Sequence, residues 1–249
     1  MFKRKNTIAT GSVYRKMVSM CSPVVRKYSR LNIVGLEQVP AHSGALLACN
    51  HSGGLWWDAL CLLSSLPERQ IHFIAHHWDA KVPLMKQALD LLDCQFMEAN
   101  VMAITAADNI CIGLKQGQLH CIYPEESYHT FRDRYTLFKF SGHGVRYAEL
   151  ANVPIIPCAV IGAEEAAPIL FGPKLPNVPL HIPLHLPLIL PFKVTVVFGQ
   201  PVSAQQLLED HGDYSVAAHT LREHVFDLIT PYRSCKKDRA AYIRKSSLL

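Results

Sequence analysis

A histidine, two glycines and an aspartate stand close together in one short stretch of this chain. They are His51, Gly53, Gly54 and Asp58. An imidazole accepts a hydroxyl proton near neutral pH, and a carboxylate bonded to its second nitrogen fixes the tautomer and stabilises the imidazolium. The glycines allow a tight turn that returns Asp58 toward His51. The pattern predicts a general base with its orienting carboxylate, and the alternative is a core or surface histidine without a catalytic role.

A later stretch adds carboxylates and guanidinium groups. Tyr123–Ser127 has the sequence YPEES and contains Glu125 and Glu126. Arg132 and Arg134 follow it. Because a guanidinium binds phosphate in a bidentate manner, the two arginines are candidate phosphate ligands. Solvated loop charge is the alternative for both.

Short apolar runs alternate with helical patterns, which indicates the elements that position these residues. The predicted strands are Ala45–Cys49, Ile71–Ala75, Cys94–Met97, Gln118–Tyr123, Ile155–Ile161 and Phe192–Phe198. The predicted helices are Asp58–Leu66, Pro83–Leu92, Met102–Lys115, Gly142–Ala151 and Ser215–Ile229. Such alternation is typical of an α/β fold with a mainly parallel sheet flanked by helices. Functional residues are then expected at strand ends.

Positive charge lies at both ends of the chain. Residues 1–36 hold eight basic and no acidic residues, and 233–249 hold six basic and one acidic. An apolar stripe in the first segment has steps of three and four residues and predicts a basic amphipathic helix. The stripe consists of Val13, Met17, Met20, Val24, Tyr28 and Leu31. Pro23 should kink or divide this helix. It suits an anionic membrane surface, and packing on the domain is the alternative.

Composition bounds the class of protein. The 249 residues are 49% hydrophobic and 18% charged, which excludes an unfolded chain and predicts one large core. No apolar run reaches the length of a bilayer-spanning helix. We predict a membrane-associating segment at 1–34, the main domain at 35–232 and a basic tail at 233–249. The expected location is the cytoplasmic side of a membrane, with membrane lipids and no nucleic acid as partners.

Metal binding is not favoured by the spacing of the 13 histidines. His76 and His77 are adjacent and would diverge, while Pro183 interrupts a helical pairing of His181 with His185. The eight cysteines include no Cys-x-x-Cys pair, so reduced core thiols are expected.

Two apolar features stand near the candidate base. The proline-rich stretch Pro168–Pro191 is either an apolar wall beside a lipid groove or membrane, or a buried irregular connection. Trp56 and Trp57 either line an acyl-chain or interface-facing pocket or pack under the helix that follows them.

Three motifs occur in a specific order, although each is short. They are NHSGGLWWD at 50–58, PEE at 124–126 and VPIIP at 153–157. They resemble the lysophospholipid or glycerolipid acyltransferase superfamily, which has a His-Asp box, a downstream Pro-Glu-Gly box and a final Val-Pro-Ile-Val-Pro-like strand. The similarity covers most of the chain from about Gly35 to Val202.

The resemblance implies transfer of a fatty acyl chain from acyl-CoA or acyl-carrier protein, as co-substrate, to a hydroxyl of a glycerolipid such as lysophosphatidate. His51 would be the general base, Asp58 its orienting partner and Glu125 a residue that binds the acceptor's polar end. Gly53 and Gly54 would shape the turn, where a backbone amide could stabilise the oxyanion. No metal and no resident cofactor are expected.

Three departures from the family pattern keep alternatives open. Six residues separate His51 from Asp58 where four are usual, as in a branch with a longer loop. Glu126 occupies the usual glycine of the second box. The arginine expected after the third strand is absent from 96–100, so a neutral acceptor such as diacylglycerol is an alternative. A silent lipid-binding member of the fold, and a thioesterase or hydrolase in which His51 activates water, are further alternatives.

Overall fold

A computed structural model describes most of the chain. The described residues are 7–76, 86–87, 89–90, 93–127, 129–171 and 184–233. The predicted helix Pro83–Leu92 falls mostly outside them, and so does the predicted tail beyond Arg233.

A seven-stranded sheet forms the centre of the domain, with strand order β1-β9-β6-β2-β5-β3-β4. The nine described strands are β1 Asn32–Val34, β2 Ala45–Cys49, β3 Ile71–Ala75, β4 Gln95–Phe96, β5 Leu119–Ile122, β6 Ile155–Ile161, β7 Ile169–Phe171, β8 Leu184–His185 and β9 Thr195–Phe198. Five neighbouring strands, from β6 to β4, run parallel. β9 is antiparallel to β6 and parallel to β1, and β7 pairs with β8 in a separate ribbon. The expected mainly parallel sheet is confirmed.

Helices cover both faces of this sheet. They are α1 Thr7–Tyr28, α2 Trp57–Ser65, α3 Asn109–Lys115, α4 His143–Ala151, α5 Ala163–Ala166, α6 Ala204–His211 and α7 Tyr214–Ile229. One apolar cluster joins the sheet to α3, α4, α6 and α7, and a second joins the opposite face to α1, α2 and α5. Every residue of β2, β5 and β6 is buried, as expected of central parallel strands covered on both faces.

The first helix packs against the domain. Tyr14, Val18 and Val25 are buried in the cluster that contains α2. The helix continues through Pro23, so the division expected there does not occur. The packing stripe differs from the predicted one, because Met20, Val24 and Tyr28 are exposed. The described residues contain no helix that is both long and apolar enough to cross a bilayer.

The sheet buries an uncharged histidine at some distance from the candidate base. His120 lies on β5 with no exposed surface, and neither ring nitrogen has a hydrogen-bond partner among the described residues. Burial, with a smaller contribution from the charge of His72, lowers the pKa of His120 to about 3. The unfolded chain therefore binds a proton at this residue below pH ~6.5, whereas the folded chain does not until pH is near 3.

We expect His120→Leu to reduce the loss of stability in acid. Between pH 6.5 and 4, the free energy of unfolding of the native chain should fall by up to about 1.4 kcal/mol more per pH unit than that of the variant. Urea unfolding at several pH values measures this slope. His219→Leu, at an exposed position of α7, is the control. Equal slopes for the native chain and His120→Leu would contradict the prediction.

Candidate active site

The strand β2 delivers the candidate base to the carboxyl end of the parallel sheet. His51 is the second residue after β2, and its two neighbours are hydrogen-bonded to β6. The Asn50 side chain donates to the carbonyl of Val160 at 3.0 Å and accepts from its N–H at 2.8 Å. The Ser52 hydroxyl donates to the same carbonyl at 2.9 Å. Sequence reasoning assigned no role to Asn50 or Ser52, although both lie within the recognised motif.

The turn after His51 brings the aspartate back. Gly53 has φ 82°, and a Cβ there would lie 2.5 Å from the carbonyl oxygen of Ala163. Leu55 and Trp56 also adopt left-handed backbone conformations, and α2 then begins at Trp57. Asp58 consequently lies in the first turn of a helix, where the helix dipole favours a carboxylate.

Asp58 is fully buried and is bound on both of its oxygens. Oδ2 lies 2.7 Å from Nδ1 of His51 and accepts from the N–H of Ser52 at 3.1 Å. Oδ1 accepts from the N–H of Ala59 at 2.8 Å. These contacts fix Asp58 as an acceptor, so Nδ1 of His51 carries the proton. Nε2 is left with its lone pair, and it has no hydrogen-bond partner within the described residues. The structure thus brings the two predicted catalytic residues together.

Glu125 lies behind His51, with a fully buried side chain. Its Oε1 accepts from the backbone N–H of His51 at 3.2 Å. Its Oε2 accepts from the N–H of Phe138 at 2.6 Å and from Nε2 of His129 at 2.5 Å. The carboxylate therefore holds the backbone of the candidate base, while its predicted role toward the acceptor stays a prediction.

Two aromatic residues complete the surroundings of the base. Tyr123 stacks on the His51 ring with 4.4 Å between centroids. His129 is buried, and burial lowers its pKa, but the Glu125 carboxylate outweighs burial and raises it. The pair Glu125–His129 is a second carboxylate–imidazole pair behind the first. Sequence analysis missed His129, and its spacing of four residues from Glu125 was the available signal.

The backbone conformation of Glu126 explains why glycine is the usual residue at this position of the motif. Its φ is 51°, in the left-handed region that favours glycine. The carboxylate contacts Nδ1 of His143 at 2.9 Å and Nε2 of His76 at 3.6 Å. Burial favours its protonated form, but hydrogen bonds from these histidines and Ser141 outweigh burial and hold the pKa of Glu126 well below its usual range. A second, ionised carboxylate therefore lies beside Glu125.

The two candidate phosphate ligands lie in an exposed turn. Arg132 and Arg134 belong to, or directly follow, a short 3-10 helix at Phe131–Asp133. Arg134 stacks on the Phe131 ring and lies 4.0 Å from the carboxylate of Glu165. No contact among the described residues joins either arginine to His51, and their role in phosphate binding stays a prediction.

The Gly53–Gly54 turn offers fewer free amides than the sequence suggests. The N–H of Gly54 donates to the carbonyl of Ala167 at 2.6 Å. Because this N–H is already bonded, the Gly54 amide is not available to an oxyanion. Of the two glycine amides, that of Gly53 remains the candidate donor. No group of three or more histidine, cysteine or acidic side chains in the described ranges is arranged to hold a metal ion.

The pKa of His51 predicts how activity depends on pH. Burial lowers this pKa, but the charge and hydrogen bond of Asp58, together with the charge of Glu125, outweigh burial and raise it above its ordinary value of about 6.5. A general base must be unprotonated, so kcat/KM should rise with pH through an apparent pKa above about 6.5. A pH–rate profile from pH 5 to 9 checks this expectation. A profile that is flat across this range would contradict it.

Comparisons with known proteins show which family this chain is similar to. The family model described as Acyltransferase matches residues 30–161. Uncharacterized proteins of Mycobacterium bovis and Mycobacterium tuberculosis are 29% identical over 232 residues, and one of Mycobacterium leprae is 28% identical. The alignments cover 84% of this chain and 62%, 62% and 61% of those proteins, so the chain spans less than two thirds of their length.

A solved structure shares the fold. It is the 1-acyl-sn-glycerophosphate (LPA) acyltransferase, PlsC, from Thermotoga maritima, with a TM-score of 0.60 and 16% identity. The superposition covers 95% of this chain and 86% of that one. The family match spans the base, its carboxylate and the Glu125 motif, and it ends at the last residue of β6. The chain therefore belongs to the Acyltransferase family.

Proposed function

We propose that this chain transfers a fatty acyl group from a thioester, acyl-CoA or acyl-carrier protein, to a hydroxyl of a glycerolipid, with His51 as general base. The observation that carries the proposal is the 2.7 Å contact between Nδ1 of His51 and the buried Asp58 carboxylate. The His51 side chain keeps 26% of its surface exposed. The base is therefore oriented from behind and open to a substrate at Nε2.

The chemistry follows from this orientation. Nε2 of His51 removes the proton of the acceptor hydroxyl as its oxygen attacks the thioester carbonyl. A tetrahedral intermediate forms, and Asp58 stabilises the imidazolium beside it. When the C–S bond breaks, the imidazolium returns the proton to the leaving thiolate. The products are an ester and a free thiol, and no acyl group is attached to the protein at any point.

The charge around the base supports a neutral lipid alcohol, such as diacylglycerol, as a second candidate acceptor. Glu126 presents an ionised carboxylate with a 27% exposed side chain beside Glu125. Arg134 lies close to Glu165, which offsets part of its charge. A phosphate-bearing acceptor such as lysophosphatidate would be bound less strongly by electrostatic attraction here than at a site lined by unpaired arginines.

Labelled acyl transfer separates these possibilities. The chain is incubated with labelled acyl-CoA, and in parallel with labelled acyl-carrier protein, together with lysophosphatidate, diacylglycerol or no acceptor. We expect labelled lipid that depends on an acceptor, and the labelled product identifies its class. Loss of thioester at the same rate without acceptor would replace the proposal by hydrolysis. Absence of turnover with both donors, combined with binding to lipid vesicles, would replace it by a silent lipid-binding protein.

We further propose that the chain acts as a peripheral protein on the cytoplasmic face of a membrane. The outer side of α1 combines the exposed apolar residues Met20 and Val24 with the exposed cations Lys16 and Lys27. Apolar groups that enter the interface beside cations that meet anionic headgroups are typical of such helices.

Reversing charge on α1 should weaken vesicle binding. Each cation near an anionic surface contributes about 1 kcal/mol, so Lys16→Glu with Lys27→Glu should lower affinity for phosphatidylglycerol-containing vesicles by at least about 30-fold. Vesicle sedimentation measures the affinity. The control pair Lys115→Glu and Lys139→Glu makes the same change of net charge at exposed positions outside α1. Equal losses for both pairs would show that net charge, and not this helix face, governs binding.

A further inference from the structure

The turn between the base and its carboxylate exposes two large apolar side chains. Leu55 is 39% exposed and Trp56 is 46% exposed, whereas the next residue, Trp57, is only 5% exposed. Isolated apolar residues on a surface are ordinary, but a leucine and a tryptophan side by side in a catalytic turn are not explained by packing. Their exposure points to a partner outside the described chain.

The backbone of this pair is strained. Leu55 has φ 55° and Trp56 has φ 53°. The left-handed region is unfavourable for any residue other than glycine. Here two consecutive non-glycine residues both adopt it. Such a conformation persists where the surrounding structure enforces it and is concentrated at functional sites.

Close contacts of the two preceding glycines enforce this left-handed backbone conformation. A Cβ on Gly53 would lie 2.5 Å from the carbonyl oxygen of Ala163, and a Cβ on Gly54 would overlap the ring of His185. The N–H of Gly54 is bonded to Ala167. Downstream, the chain enters α2 at buried Trp57. Leu55 and Trp56 are thus held rigidly outward, three and two residues before Asp58.

Further exposed apolar residues lie on α1, on the ribbon β7–β8 and on the segment after β8. We call them, with Leu55 and Trp56, the apolar rim. The other members are Met20, Val24 and Tyr28 of α1, Leu170 and Phe171 of β7, Leu184 of β8, and Leu188 and Phe192 of the segment after it. Tyr28 joins these elements, because its ring contacts Trp57 and its hydroxyl donates to the carbonyl of Ile189 at 2.6 Å.

Cations accompany the apolar rim. Lys27 and Arg30 are exposed at the end of α1, and Lys193 is exposed after Phe192. The Arg30 guanidinium donates to the carbonyl of Pro191 at 2.8 Å, which places this cation beside the segment that carries Leu188 and Phe192. Apolar side chains bordered by cations are complementary to the interface of a bilayer that contains anionic lipids.

We propose that Leu55 and Trp56 form a wedge that enters the interfacial layer of an anionic bilayer, so that the catalytic turn itself is seated in the membrane surface. Tryptophan favours this layer because its ring is apolar and its N–H is polar. The wedge would bring Nε2 of His51 to the depth at which an acceptor hydroxyl of a bilayer lipid lies. The expected effect of the wedge on transfer activity rests on the proposed function. Its expected effect on membrane binding does not.

The test replaces both wedge residues by asparagine, which tolerates the left-handed backbone and removes the apolar surface. Leu55→Asn with Trp56→Asn should lower transfer to an acceptor embedded in phosphatidylcholine–phosphatidylglycerol vesicles by about tenfold or more. Transfer to a short-chain acceptor dissolved as monomers should change by less than about twofold, because Asp58 and His51 keep their geometry. Val216→Asn, at a 48% exposed position on the opposite face of the sheet, is the matched control.

A second measurement is independent of turnover. Vesicles with phosphatidylcholine brominated on its acyl chains should quench native fluorescence more than that of the Trp56→Asn chain, because Trp56 lies in the interface. Equal quenching in both chains would overturn the proposal, and so would equal losses with vesicle and monomeric acceptors. If the native chain transfers to no acceptor, the proposed function fails, and quenching alone then decides whether the wedge contacts lipid.

Discussion

His51→Ala is expected to lower kcat for acyl transfer by about 10³ to 10⁴ while leaving the fold intact. In the proposed mechanism the imidazole is the base that Asp58 orients, and the acceptor hydroxyl would have to lose its proton to water in the variant. The side chain is partly exposed, and within the described part of the chain its contacts are the Asp58 carboxylate and the Tyr123 ring. Removing it therefore costs little packing.

The matched control is His219→Ala, which makes the same substitution at an exposed position of α7. Both variants should unfold at the temperature of the native chain within a few degrees, and only His51→Ala should lose transfer. KM for the acceptor should change little, because the loss concerns the transition state. Transfer by His51→Ala at more than about a tenth of the native rate would show that another group is the base.

The central strands are predictable because they are buried on both faces and read as unbroken apolar runs. Strands β2, β3 and β6 have the predicted bounds. The edge strand β1 and the two strands of the ribbon β7–β8 are short, and each contains exposed residues. No apolar run in the sequence predicts them. Tertiary pairing decides such elements, not local sequence.

The helices show where local signals compete. The helix predicted at Met102–Lys115 begins only at Asn109, because the Asp108 carboxylate binds the N–H of Thr105 and favours a turn there. The helix α6 was not predicted, although Ser203 and Gln206 have the spacing of a capping box, and the Ser203 hydroxyl does accept from the Gln206 N–H. For α1, the packed stripe is decided by contact with α2, which the sequence of α1 alone does not encode.

The candidate site divides in the same way. His51 and Asp58 are seven residues apart, so their motif is visible in one stretch of sequence. Asn50 and Val160 are joined across 110 residues, and Phe138 reaches Glu125 from a loop without regular structure. Sequence patterns thus predict the candidate reacting groups, whereas the hydrogen bonds that hold these groups depend on the assembled sheet.

Asp58→Asn is expected to lower kcat by about 10² to 10⁴ with the base still present. Both Asp58 oxygens accept hydrogen bonds, from His51 Nδ1 and the N–H groups of Ser52 and Ala59. An amide has one accepting oxygen, so its NH₂ group must face one of these donors. If it faces Nδ1, that nitrogen becomes the acceptor and Nε2 takes the proton, which leaves no base for the acceptor hydroxyl.

The pH profile distinguishes this tautomer effect from general disruption. Because the Asp58 charge raises the pKa of His51, the residual activity of Asp58→Asn should titrate at a lower pH than that of the native chain. Asp210→Asn, at an exposed position of α6, is the control and should keep the native profile. A variant that loses activity but keeps the native apparent pKa would show that Asp58 does not act through His51. The Asp58 carboxylate also accepts hydrogen bonds from the backbone N–H groups of Ser52 and Ala59. Such a result would therefore mean that Asp58 stabilises the conformation of the turn and that another group fixes the tautomer of His51.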